Sequence, residues 1–464
     1  NVIIIPMTSW LSQQFGRRNY FAASIVIFTV CSFLCGNANG ITELVIFRFL
    51  QGVGGGALLV TSQTIITESY PQEKRGMAQA LYGMGVIVGP TLGPPLGGYI
   101  IDTFSWPYIF YINIPLGIIA TLLTLQFVRS PKYTEKSKTS DIDWLGIALL
   151  AIFVGSLQFV LEKGHDEDWF DSSLIIIFTI TASLGAFFFV WRELTYRNPV
   201  VNLRVLKNGN LRTGTILSFI LGFGLYGSTF IIPLYTQATL GWTATQAGLL
   251  MIPATLTTAV LMPVIGKMLQ AGVKHQLMAA SGMFVFFIFC MWGYKILTPD
   301  TGEDSFFWML IWRGVAMALL FIPITTLSLS TLKGKQIGEG ASFTGMMRQL
   351  GGSFGIAIIT TFMAKQLIVH RADLASKLDV NNAIVQTRMA GMQQALIAKG
   401  DAPNIALQKA YKLLDLSVLK QASVMSYMDV FYYIGLMFLI CVPFVLLIRG
   451  KLNNSEKPDL SSLH

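Results

Sequence analysis

Thirteen apolar stretches dominate this chain, most of them close to the roughly 20 residues that an α-helix needs to cross a bilayer. A half-length stretch covers about 1–11. Longer ones follow at about 20–38, 44–66, 77–100, 107–128, 144–162, 173–191 and 213–236, then at about 246–266, 277–294, 306–329, 340–364 and 430–448. Hydrocarbon offers the backbone no partner but itself, so helices are expected throughout. The ten-residue alternating segments of a barrel do not occur in the sequence. Composition agrees: 12% of the 464 residues are charged, against about 25% in soluble domains. That is too little charge to coat a water-soluble protein of this length, and too little for a disordered one.

The distribution of Lys and Arg orients the spans. When alternate connections are assigned to opposite sides, nineteen Lys/Arg fall in the short connections of one side. Two, Lys163 and Lys295, fall in those of the other. The richer side is expected to be cytoplasmic, together with the C-terminal tail at 450–464. The acidic run Asp166-Glu167-Asp168, with Asp171, then faces outward. By parity the half-length stretch runs from outside to inside. A complete span and part of the next are therefore expected before Asn1, which would make fourteen; the alternative is a thirteen-span chain with an external N-terminus. The connection 365–429 carries eight Lys/Arg yet falls outside, as long loops do largely regardless of charge. Leu374, Ile384, Met392, Leu396 and Ile405 recur in it at helical spacing. An external helical hairpin, broken near Gly400-Asp401-Ala402-Pro403, is expected there, either as a docking surface or as a solvated loop.

A weak internal repeat divides the chain. Residues 44–57 and 309–322 each place one arginine about a turn into an apolar span, and Arg75-Gly76-Met77-Ala78 and Glu339-Gly340-Ala341-Ser342 lead into the spans that follow. Paired halves of this kind mark transporters, with the substrate site at midplane between them. The expected organisation is an N-terminal six-helix half at 1–128 lacking its first span. Linkers with two inserted spans follow at 129–212, then a C-terminal six-helix half at 213–449 and the tail.

Three Lys/Arg lie inside spans: Arg48, Arg313 and Arg348. A charge in that position marks a pathway or a buried pair. No acidic residue lies at the middle of a span; Glu68, Asp102, Glu339 and Asp429 come closest, all near span ends. The carboxylate that would answer Arg48 is expected on the span preceding Asn1, with Asp102 as the alternative. Residues 83–98 read G-M-G-V-I-V-G-P-T-L-G-P-P-L-G-G, with Gly85, Gly89, Gly93 and Gly97 on one face and Pro90, Pro94 and Pro95 among them. That pattern suits a close helix contact or, because the prolines free carbonyls, a hinge or gate. Gly52-Val53-Gly54-Gly55-Gly56-Ala57 nominally fits a dinucleotide fingerprint but lacks the strand such a site requires. Cys31, Cys35, Cys290 and Cys441 lie in apolar stretches, and the four histidines form no metal-binding pattern.

These residues resemble a known family, the fourteen-span drug:proton antiporters of the EmrB/QacA type within the major facilitator superfamily. Arg48-Phe49-Leu50-Gln51-Gly52-Val53-Gly54 is similar to the family's fourth-span motif, whose arginine is implicated in proton transfer. Gly85 through Gly98 resembles the fifth-span antiporter motif, with Gly89-Pro90 and Gly93 at its core and Gly97 and Gly98 at its end. Residues 106–115 and Met347-Arg348-Gln349-Leu350-Gly351-Gly352-Ser353 match two further signatures. In the gating loop after the second span, Gly16, Arg17 and Arg18 match the family, whereas Ser9, Gln13 and Gln14 stand where Gly, Asp and Arg are common. Loss of that acid is expected to weaken the charge relay of the loop.

The resemblance implies an all-α major facilitator fold and a proton-coupled efflux pump for amphipathic or lipophilic compounds. Such a pump resides in the bacterial inner membrane. It needs no metal or cofactor beyond the proton gradient and catalyses no chemical reaction. The implied partners are small amphipathic substrates, protons and lipid, with a periplasmic adaptor and outer-membrane channel suggested by the long external connection; no nucleic acid is implied. The alternative is an exporter of one metabolite or siderophore, and a more distant one is a membrane sensor or scaffold.

Overall fold

The computed structural model describes residues 1–71, 74–130, 143–379 and 381–447. The 450–464 tail and most of the basic stretch 129–138 lie outside the described residues. Among the described residues there is no strand, and sixteen α-helices follow in order. They are α1 (Ile4–Phe15), α2 (Arg17–Gly36), α3 (Ile41–Ser69), α4 (Arg75–Thr103), α5 (Tyr108–Tyr111), α6 (Asn113–Phe127), α7 (Trp144–Lys163) and α8 (Ser173–Thr195). Then come α9 (Gly209–Ala238), α10 (Ala244–Leu249), α11 (Ile252–Gln270), α12 (His275–Ile296), α13 (Glu303–Leu329), α14 (Lys335–Ser376), α15 (Ala383–Ala398) and α16 (Pro403–Leu447). Eleven are long and apolar enough to cross a membrane, with α5–α6 and α10–α11 each taken as one. Helix α1 has 12 residues; α4 has 29, diluted by glycine and proline.

Local chemistry sets the breaks. Gly16, at φ +81°, turns α1 into α2 within one residue, a conformation glycine adopts without strain. Thr243 and Gln246 form a reciprocal capping box at the start of α10, and Pro253 lies in the first turn of α11. Gly400, at φ +100°, and Pro403 separate α15 from α16.

The region 365–429 is helical and breaks where the sequence indicates, but it is not a free-standing hairpin. Helix α14 runs unbroken for 42 residues and α16 for 45. At 1.5 Å per residue each spans more than about 60 Å, twice the hydrocarbon thickness. No Gly or Pro interrupts 356–376 or 404–434, so the helices continue past the apolar segments that a hydropathy window detects. Arg371–Asp415 (2.8 Å) and His370–Asp429 (2.7 Å) tie the two extensions together, and α15 packs on α16.

Helix α2 packs on α3 and α6, and α3 on α1 and α4. A second group joins α9 to α13 and α14, α12 to α13 and α16, and α11 to α13. The groups meet where α4 lies against α10, α11 and α13, and where α14 lies against α1 and α3. Glycines bring backbones together in the second group: a β-carbon on Gly222 would run into the Arg348 carbonyl, and one on Gly351 into the Phe219 carbonyl. Helices α7 and α8 pack on each other, and α7 docks onto α14. Gln158 donates to Ser353 Oγ (2.9 Å), and Trp169 Nε1 to Thr361 Oγ1 (3.0 Å).

Candidate functional site

Arg48 lies in the second turn of α3, open on the surface of the chain. Its Nη1 donates to Gln51 Oε1 three residues on (3.3 Å), and its guanidinium stands 4.6 Å from the centre of the Phe110 ring. Gln51 is buried and donates to Ser32 Oγ of α2 at 2.6 Å, and Ser32 in turn donates to the Phe28 carbonyl at 2.8 Å. The arginine therefore heads a hydrogen-bonded chain anchored in the α2 backbone. No carboxylate forms an ion pair with it among the described residues. Asp102 is exposed at the end of α4 and accepts from Thr245 Oγ1 (2.7 Å). The glycines after Arg48 serve packing: a β-carbon on Gly54 would come 2.7 Å from the Ser24 carbonyl, and one on Gly52 3.4 Å from the Asn1 backbone.

The other two membrane arginines are sealed. Arg313 on α13 is 2% exposed and donates to Ser228 Oγ (3.0 Å) and Thr229 Oγ1 (2.5 Å), both on α9. Arg348 on α14 is 4% exposed and lies 5.1 Å from the centre of the Phe321 ring of α13. Its Nη2 reaches Tyr82 Oη of α4 at 3.5 Å, while Nη1 has no hydrogen-bond partner among the described residues. Arg348 thus stands where α4 meets the second group of helices. The structure does not bring the three arginines into one cluster.

Among the described residues the glycine face of α4 meets no other helix. A β-carbon on Gly85, Gly89, Gly93 or Gly97 would meet nothing within 4 Å. The neighbouring face does the packing: a β-carbon on Gly98 would come 2.8 Å from the Thr245 backbone nitrogen, and one on Gly83 2.8 Å from the Phe321 ring. The backbone stays helical through Pro90, Pro94 and Pro95.

At the start of α2, Arg17 grips Glu68 of α3 with two bonds, 2.7 and 3.0 Å, and Arg18 reaches the Leu125 carbonyl of α6. Glu68 thus places an acid beside the turn at Gly16. Close by, Gln63 donates to Gln79 Oε1 (3.1 Å) and Gln79 to Thr67 Oγ1 (2.7 Å), fastening α3 to α4 in a fully buried cluster. Arg75 of α4 crosses to the second group, donating to the carbonyls of Leu329, the last residue of α13, and Leu332 beyond it (2.9 and 3.1 Å). Sequence reasoning missed Tyr82, Ser228, Thr229, Gln79 and the role of Arg75. A lone acid near the basic end of a span was the available signal for Glu68; the hydroxyls that serve Arg313 carry none.

These features define a polytopic α-helical membrane protein whose two groups of helices meet across α4 and α14. The chain belongs to the Major Facilitator Superfamily, whose family model matches residues 1–356. It is 32% identical over 447 residues to the multidrug export protein EmrB of Escherichia coli K12, covering 96% of this chain and 85% of that protein. It is also 32% identical over 450 residues to the fatty acid resistance protein FarB of Neisseria gonorrhoeae, covering 97% and 86%. The solved structure of the proton:xylose symporter XylE bound to 6-bromo-6-deoxy-D-glucose shares the fold with a TM-score of 0.53 at 15% identity, covering 95% of this chain and 84% of that one.

Proposed function

We propose that this protein exports amphipathic or lipophilic compounds across a bacterial inner membrane by alternating access, with protons entering in exchange. The observation that carries this reading is the near full-length similarity to a multidrug export protein, with Arg48 in its matching motif held by Gln51 and open to a partner. Arg48, Gln51 and Gly52 carry proton coupling. The glycine–proline stretch of α4, with Gly85, Gly89, Pro90, Gly93, Gly97 and Gly98, forms the gate. Gly16, Arg17 and Arg18 set the conformational equilibrium through Glu68, and Arg313 and Arg348 hold the second half. The halves are residues 1–128 and 213–449, with 129–212 inserted between them. The Lys/Arg-rich end and the tail face the cytoplasm, and the proton gradient alone drives the cycle, without cofactor or metal.

The long extensions of α14 and α16 support a further partner, a periplasmic adaptor leading to an outer-membrane channel. Vesicles carrying the full-length protein test the core of the proposal. Addition of a lipophilic drug on the cytoplasmic side is expected to release a stored proton gradient in wild type and not in Arg48→Ala. Equal proton flux in both would remove Arg48 from the mechanism.

A further inference from the structure

Two carboxylates meet at the foot of the inserted helices. Asp143 caps α7, its Oδ1 accepting from the Gly146 N–H at 2.9 Å. Arg192 of α8 forks onto the same group, Nη2 to Oδ1 at 3.2 Å and Nε to Oδ1 and Oδ2 at 3.2 and 3.3 Å. Glu193, the next residue, is 0% exposed and in no ion pair among the described residues. Its Oε2 accepts from the Val201 N–H at 3.1 Å, and its Oε1 meets no donor among the described residues. A β-carbon placed on Gly146 would lie 2.8 Å from Asp143 Oδ2 and 3.0 Å from Glu193 Oε1. The two oxygens therefore face one gap that only a residue without a side chain leaves open.

The charges that act on Glu193 are Asp143 and Arg192. Arg204 is turned onto the Leu194 carbonyl at 2.9 Å. On the neighbouring α14, Glu339 accepts from Asn202 (3.2 Å) and stands 4.0 Å from Lys335. Among the described residues one guanidinium, already committed to Asp143, thus serves a buried site with two acids. Two ionised carboxylates in such a site repel each other, and the donorless one gains by taking a proton.

We propose that Asp143 and Glu193 hold one proton between them, carried on Glu193 Oε1 and donated to Asp143 Oδ2, as a proton-binding site separate from the membrane arginines. The proton joins a carboxylate oxygen and no other bond changes. It fastens the foot of α7 and α8 to the Val200–Val201 segment, which continues through Asn202 to Glu339 of α14. Loss of the proton places a second negative charge in the gap and loosens the inserted pair from the helix it rides on.

The purified full chain in lipid nanodiscs tests this in two ways. Infrared spectra of wild type are expected to show a protonated-carboxyl stretch that disappears as pH rises and is missing from Glu193→Gln. Because the folded state would bind a proton that the unfolded chain releases, wild-type stability falls as pH rises through that titration. Glu193→Gln keeps the acid-side stability at every pH, whereas Glu193→Ala is weaker throughout. A wild type without the band, or a Glu193→Gln variant as unstable as Glu193→Ala, overturns the proposal.

Discussion

Arg48 of α3 and Arg313 of α13 hold matching places in the internal repeat, yet their surroundings differ. Arg313 is 2% exposed, its donors taken by two hydroxyls of α9, whereas Arg48 lies open, held by a glutamine of its own helix and an aromatic face. A guanidinium among neutral hydroxyls cannot be moved without stranding several buried donors, so Arg313 acts as a clamp between α9 and α13. Arg48 keeps donors that no described residue takes up. Among the described residues, the same residue in the same repeat position is enclosed in one half and exposed in the other.

The largest expected effect tests this contrast. Arg313→Ala removes a buried side chain and leaves Ser228 and Thr229 facing a void, which should cost about 2–5 kcal/mol. Arg48→Ala, on an open face, should stay within about 0.5 kcal/mol of wild type. Thermal unfolding of both variants in the same detergent decides it: equal losses would mean that the two arginines do the same work.

The glycines repeat the contrast on a smaller scale. Gly222 lies where α9 touches the backbone of α14, so Gly222→Ala must push two helices apart and should cost about 1–3 kcal/mol. Gly93 faces open space, and Gly93→Ala should be neutral or gain up to about 1 kcal/mol from helix propensity. If Gly93→Ala nevertheless stops transport while unfolding no earlier, the open glycine face of α4 serves movement and not packing. A stability loss at Gly93 equal to that at Gly222 would reverse the assignment.

Much of this architecture was legible because the bilayer imposes a coarse code. Apolar length marks the spans, and Gly400 and Pro403 mark the break between α15 and α16. The rest was hidden for identifiable reasons. A hydropathy window stops at the membrane edge, so it could not show α14 and α16 continuing as single rods through polar sequence. The four-residue glycine spacing of α4 reads as a packing stripe, but spacing does not say whether a neighbour is present. Glu68 was visible only as an acid near a span end; its pairing with Arg17, 51 positions away in the chain, depends on how α2 meets α3. Glu193 looked like an ordinary residue at the end of an apolar run, because its burial is created by the Val200–Val201 turn folding back over it.

The last contrast separates the two groups of helices from the joint between them. Arg17 closes α2 onto α3 within one group, whereas Arg75 reaches across and donates to the carbonyls that end α13. A guanidinium there satisfies orphan acceptors and complements the negative end of the helix dipole. Water at the helix end can replace most of this, so Arg75→Ala should cost only about 1 kcal/mol. Its signature is positional. Amide exchange should quicken at the end of α13 and the start of α4, where the joint opens, and stay unchanged between α2 and α3. Arg17→Ala should do the opposite, loosening α2 against α3 and leaving the α13 end protected. Faster exchange at both places in both variants would mean that the basic end opens as one unit, with no joint for the two groups to rock about.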